Sequence, residues 1–364
     1  MRTERYEQYL YGCRFCPMCK PASDTSNATF LECHSTRAHA MIIWRVSNQI
    51  KPYSDKEIEL LYKTNLDSVS EAFCVDHYPV SEYMLAARQD IVEAGRVPEV
   101  VKSVLARNQR IDVESRGKTT ILSCEAADFA YEAAFERVSA IAEKLDVGFI
   151  QGYSGASAHF LGDDRKARDL AEGLTAAIAR SGVSTVLTDG PETYYALTKL
   201  YARLGVHIPE NLSVRMLSSF AAEASPSNVS NKITGMKAFY HDARACWWMA
   251  DTKPDEKVIM PDFFGPEKLL GTGALYDEPR GLLKDLGVKL VFSVWTRALA
   301  RSMGMDEGLY LVHPQLAEKL ARRRLAEIGR CGSECLVTDS FAAVVFLSII
   351  GSDGMNVVWL PEIL

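Results

Sequence analysis

Three cysteines in Cys13-Arg-Phe-Cys16-Pro-Met-Cys19 form a C-x2-C-x2-C run. Three thiolates on one tight loop supply one side of a cubane iron–sulfur cluster, and the fourth must come from elsewhere. In the two-cluster run C-x2-C-x2-C-x3-C the last cysteine ligates the other cluster, so a second run is expected. Thr64, Asp67, Ser70 and Cys74 keep that spacing, with cysteine only at the last position, and Ser23 stands at the fourth position of the first run. The losses are complementary. Ser23, Thr64, Asp67 and Ser70 occupy the four ligand positions of one cluster; Cys13, Cys16, Cys19 and Cys74 are the four ligands of the other. The spacing predicts one erased cluster beside one complete 4Fe–4S cluster.

Two other readings use the same residues. The run can be a zinc site with Cys33 or His34 as fourth ligand, or a group of free thiols. Zinc sites more often use paired C-x2-C knuckles, and three cysteines this close crowd a single tetrahedral ion. Cys33 also rivals Cys74 as the fourth iron ligand, and the complementary losses favour Cys74.

The elements that must position these ligands read as helices through residues 1–110. Ala38 to Ile50 is apolar, Ser54 with Glu57 three residues on marks an N-capped helix, and Pro79 to Ala94 gives another. Arg107 to Gly117 is polar and reads as a linker. From Thr119 short apolar runs alternate with helical stretches: strands at Thr119–Ser123, Val147–Gln151, Ser184–Thr188, Ala238–His241, Lys289–Val294 and Cys335–Thr338, and helices at Ala127–Lys144, Ala167–Ser181, Pro279–Leu286 and Pro314–Gly329. This is the rhythm of an α/β fold with parallel sheets. Val186-Leu-Thr-Asp189-Gly190-Pro191-Glu-Thr193 matches Leu336-Val-Thr-Asp339-Ser340-Phe341-Ala-Ala343, each closing a strand, so two halves of similar build are expected at 118–230 and 231–364. Glu223 to Asn231 reads as the loop joining them.

The 364 residues suffice for two or three domains. A net charge of −6 argues against a nucleic-acid or anionic-membrane surface. Four of the nine cysteines fall within the first 33 residues; clustered cysteines without a secretory signal point to metal in a reducing cytoplasm. The most apolar run, Phe341 to Ile350, is about half a bilayer span and reads as a buried helix or strand, so no direct membrane insertion is expected.

Together the double run, Ala86-Ala87-Arg88 after Cys74, Tyr240-His241-Asp242 and Asp277-Glu278-Pro279-Arg280 resemble the iron–sulfur subunits of glycolate oxidase, anaerobic glycerol-3-phosphate dehydrogenase and the heterodisulfide reductase D type. The resemblance covers nearly the whole chain. It implies an all-helical ferredoxin-type domain at 1–110, followed by two repeated Rossmann-like α/β half-domains that in the family each carry an early cysteine, a Cys-Cys-Gly and a Cys-Pro-x-Cys. Here the first half keeps Cys124, with Tyr153-Ser154-Gly155 and Gly190-Pro191-Glu192-Thr193 at the two motifs. The second half has Arg244, Ser302-Met303-Gly304 and Ser340-Phe341-Ala342-Ala343. The turn glycines of Cys-Cys-Gly survive and the thiolates do not, so neither half is expected to hold a cluster. Cys246, Cys331 and Cys335 fall outside the motifs and read as buried small apolar residues.

Other chemistry is weaker. Gly152 to Ala156 faintly resembles a nucleophile elbow at Ser154, but Ala158 to Asp163 reads as a loop where the elbow needs a helix. Gly271-Thr-Gly273 reads as a loop rather than a nucleotide site. His241 and Asp242 end a strand, where α/β sheets place ligands, although a hydrogen-bonded structural pair is expected there. Trp247 and Trp248 suit either a partner surface or the core. Asp67, Asp189, Arg244 and Asp339 are candidates to line a pocket left by the lost clusters.

The expectation is an electron-transfer subunit with no catalytic residue of its own. One 4Fe–4S cluster would be held by Cys13, Cys16, Cys19 and Cys74. By resemblance the partner is a flavoprotein dehydrogenase of the FAD-linked 2-hydroxyacid type, with a further acceptor subunit. The alternative is a structural or regulatory subunit in which the cluster only stabilises the N-terminal domain.

Overall fold

Local capping accounts for several of the N-terminal helices. Ser35 Oγ accepts from Ala38 N at the start of the Thr36–Ser47 helix. Ser54 and Glu57 form a reciprocal capping box ahead of the Asp55–Tyr62 helix. The Val80–Glu93 helix is buried on nearly every face and includes Arg88. That guanidinium donates to the carbonyls of Leu61, Thr64 and Phe160, so a buried charge with no ion pair among the described residues is satisfied by backbone oxygens. In this computed structural model residues 1–74, 76, 78–107, 109–114, 116–125, 127–129, 132–224, 233–249 and 274–364 are described.

Among the described residues nine strands form two sheets. The first contains β1 (Asp112–Glu114), β2 (Thr119–Ser123), β3 (Gly148–Gln151), β4 (Thr185–Thr188) and β5 (Ser213–Met216), in the order β1-β3-β2-β4-β5. The second contains β6 (Lys237–His241), β7 (Lys289–Val291), β8 (Cys335–Thr338) and β9 (Asn356–Trp359), in the order β7-β6-β8-β9. Setting aside β1, which runs antiparallel to β3, both sheets are parallel and share one strand order. The matching Asp189 and Asp339 stretches follow β4 and β8, which hold equivalent places. Mixed helix and parallel sheet is therefore an α/β fold, as the sequence rhythm indicates.

Three local readings change, and one open choice is resolved. The expected linker at 107–117 carries β1, whose exposed residues give no apolar signal. Strands β5 and β9 went unforeseen, and β5 is a half-exposed edge strand. A short helix, Ala156–Phe160, occupies much of the expected loop after Ser154. The apolar run at Phe341–Ile350 is a helix. Among the described residues no helix is long and apolar enough to cross a membrane. Most of the loop expected at Glu223–Asn231, and Gly271–Gly273, lie outside the described residues.

Gly155 and Gly304 show why the turn glycines persist. Both have positive φ, +83° and +98°. A Cβ on either would press into the backbone of the following long helix, at the carbonyl oxygen of Ala167 or of Ala317. The two turns are the same device used once in each half.

Candidate metal centre

Cys13 closes the Glu7–Gly12 helix, Cys19 precedes the 3-10 turn Lys20–Ala22, and Cys74 closes the Val69–Phe73 helix. Cys13, Cys16, Cys19 and Cys74 line a single cavity whose other walls include Ala40, Val80 and Tyr83. Phe15 turns the loop through a left-handed conformation, and its N–H donates to Cys13 Sγ at 3.4 Å. Cys16 and Met18 are exposed, so the cavity sits at the protein's edge. Its enclosed part is about 30 Å³, room for a water or two; a larger group would extend to the open side or spread the loop. Burial, then the Asp67 carboxylate and the neighbouring thiols, push the Cys19 thiol up to about 12. Four thiols this close resist ionising together unless they share a cation.

Cys33 is exposed, and His34 Nδ1 lies 2.9 Å from Thr29 Oγ1. Neither lines the cysteine cavity. Among the described residues no three His, Cys, Asp or Glu side chains are grouped to hold a metal ion.

Against the cysteine cavity lies a polar knot. Asp67 Oδ2 accepts from Ser23 Oγ and from Thr36 Oγ1, each at 2.6 Å, and Oδ1 accepts from Asp24 N at 3.1 Å. Ser70 Oγ lies 2.8 Å from Thr36 Oγ1. Ser23, Asp67 and Ser70, three of the four substituted ligand positions, thus meet in one buried network. Thr64 is buried too, but its hydroxyl has no partner and stays outside the network. Leu66 and Asp67 both adopt positive φ, +59° and +54°, which places the carboxylate among its donors. Burial raises Asp67 to about 6, with Asp24 adding to the effect. Thr36 belongs to both regions, since it also lines the cysteine cavity.

In the second half the replacement residues bond one another and the N-terminal helices. Arg244 donates to the carbonyls of Ala298 and Ala300 and to Ser68 Oγ. Ser302 Oγ donates to Asp306 and accepts from Gly304 N, while Ser302 N donates to Asp24 Oδ2 at 2.8 Å. In the first half Ser154 Oγ accepts from Ala156 N at 3.3 Å. His159 Nδ1 meets Asp164 Oδ1 at 2.7 Å, and its buried Nε2 has no partner, so no serine–histidine bond supports a nucleophile.

Asp242 holds Arg280 through two 2.7 Å bonds and accepts from Arg297 N. It is structural, as expected. His241 departs from the expected hydrogen bonding: both ring nitrogens are buried without partners, and burial pulls it down to about 3, so it is neutral. Trp248 belongs to the core and donates to Glu307 Oε1 at 2.6 Å, whereas Trp247 is half-buried beneath the Arg244 guanidinium. Cys246 and Cys335 are buried; Cys331 is only half-buried, and its thiol donates to Glu327 O.

Asp67, Asp189, Arg244 and Asp339 line neither the cysteine cavity nor the pocket between the halves. The acidic groups around the pocket between the halves are instead Glu125, Glu192, Asp306 and Glu307, which sequence reasoning missed. The one signal for Glu125 was its place beside Cys124 at the end of β2.

The parallel sheets and the paired turns define an α/β fold in which the second half repeats the strand order of the first. No family model matches the chain, and no curated protein matches it. Among solved structures it is similar to a hypothetical protein from Helicobacter pylori, with a TM-score of 0.55 and 12% identity. That match covers 90% of this chain and 66% of the other. At this identity the likeness concerns the fold alone.

Proposed function

We propose that the chain is an electron-transfer subunit whose single 4Fe–4S cluster is held by Cys13, Cys16, Cys19 and Cys74. What supports this reading is that all four cysteines line one largely apolar cavity, while Ser23, Asp67 and Ser70 satisfy one another next door. The donor set suits iron–sulfur chemistry, since four soft thiolates are its usual ligands. Bound there, the cluster would accept and release one electron at a time. The chain's own part is to hold the thiolates, keep Ala40, Val80 and Tyr83 against the site, and donate from Phe15 N to Cys13 Sγ, all of which tune a potential. Cys16 at the surface favours exchange with a partner over a buried staple.

The helical N-terminal part would then be the ferredoxin-type domain, and the two sheets the Rossmann-like halves, free of clusters and used as a docking body. By resemblance the partner is a flavoprotein dehydrogenase of the 2-hydroxyacid type, in the cytoplasm, with electrons passing on to a further acceptor. The test is iron and acid-labile sulfide content of anaerobically purified protein, with EPR after dithionite. About four irons with a reduced-cluster signal are expected. Zinc in place of iron sinks the proposal. A cluster that the turning-over partner cannot reduce makes it a staple instead.

A further inference from the structure

A second cavity lies between the two halves, beyond the C-terminal ends of β2, β4, β6 and β8, where α/β sheets commonly take ligands. It shares no lining residue with the cysteine cavity. Glu125, Glu192, Asp306 and Glu307 line it, together with the aromatic rings of Phe129 and Tyr310, and among the described residues no lysine, arginine or histidine does. The enclosed volume is about 30 Å³, enough for one small polar head group.

Two of the carboxylates differ in a telling way. Glu125 is fully engaged: Oε1 accepts from Glu192 N at 2.8 Å, and Oε2 accepts from Ser340 Oγ at 3.1 Å and Ala342 N at 3.0 Å. It therefore bridges the helix starts that follow β4 and β8, and Gly190 makes room for it, because a Cβ there would strike the carboxylate. Glu307 is half-engaged. Trp248 Nε1 holds Oε1 at 2.6 Å, but Oε2 is buried with no partner among the described residues, and Glu307 is 1% exposed. Glu307 also adopts φ +57°, a left-handed conformation that costs a non-glycine residue energy and aims this side chain. Arg88 and Arg244 lie near enough to be felt; Arg88 donates to the Leu61, Thr64 and Phe160 carbonyls and Arg244 to two carbonyls and the Ser68 hydroxyl, with Arg244 Nε buried and unpartnered among the described residues, and neither is bonded to Glu307.

A buried carboxyl oxygen without a partner calls for one, and a cation bound against it would hold the group ionised. We infer that this cavity binds the ammonium head of a small organic amine, with Glu307 Oε2 as its acceptor and the rings of Phe129 and Tyr310 as its wall. Carboxylates lined with aromatic faces recognise such cations. A bare metal ion fits less well, because among the described residues no acidic trio is grouped to coordinate one.

Calorimetry on the full chain tests this, with propylammonium chloride as probe and sodium, tetramethylammonium and magnesium chlorides at matched ionic strength as controls. Saturable binding of propylammonium alone is expected. Glu307→Gln should weaken it roughly tenfold or more, since a charge-assisted bond is lost. Ala342→Leu plugs the cavity while keeping the N–H to Glu125, and it should abolish binding; it decides the matter if Glu307→Gln fails to fold. Equal binding of tetramethylammonium or sodium overturns the inference, as does saturable magnesium binding. Unchanged affinity in folded Glu307→Gln or in Ala342→Leu overturns it equally.

Discussion

The cysteine cavity and the Asp67 knot are neighbours that share Thr36, yet they solve burial in opposite ways. Around the cavity the sulfurs face an apolar space and make few bonds within the protein. In the knot a carboxylate accepts from Ser23, Asp24 and Thr36, and Ser70 closes the set. A site whose polar atoms are satisfied internally has no call for a ligand; one whose donors converge on space does. The same contrast recurs between the halves, where Glu125 is complete and Glu307 is not.

The largest effect expected of any variant separates the two regions outright. Cys74→Ser should lose the four-iron cluster or leave a three-iron species, read by EPR and iron content, while Cys33→Ser should leave the spectrum unchanged. A normal cluster in Cys74→Ser would move the fourth ligand elsewhere and dissolve the comparison. Next in size, Asp67→Ala strands three buried donors and should cost about 3–5 kcal/mol in urea unfolding, with the thiol set intact. A loss below about 1 kcal/mol would mean that the knot is not structural. The smallest effect concerns pH. Burial raises Glu307 from its ordinary 4.5 to about 8. The fold therefore favours its protonated form, so its contribution is fully present below pH 4.5 and is lost as the pH rises through 8. The urea midpoint should fall between pH 5 and pH 8.5 more in wild type than in Glu307→Gln, and equal slopes would remove Glu307 as a strained acid.

Much of the fold was legible because its signals are local. The Ser54–Glu57 box, the apolar runs of β2, β4 and β8, and the repeated Asp189 and Asp339 stretches each announce themselves within a few residues. Cysteine spacing alone pointed to the four thiols that line the cavity. Most of what stayed hidden depends on contacts distant in sequence. β5 is a half-exposed edge strand and β1 is exposed, so neither carries a clear apolar signal, whereas β9 is as long as β8 and apolar, and its signal was there to be read. Glu307 gains its meaning only from Trp248, 59 residues away, and Thr36 entered the knot without belonging to the cysteine spacing at all.

The links between Asp24 and Ser302 and between Ser68 and Arg244 join residues separated by 278 and 176 positions. On a ribosome the N-terminal helices emerge long before these partners exist. Asp24 would then wait, desolvated or still wet, until nearly the whole chain has been made. Contacts of such long range slow folding, so a fragment ending near residue 110 would leave Asp24 without Ser302 N and Arg301. On the proposed reading, loading of the cluster would then be a task for the finished polypeptide rather than for the nascent one.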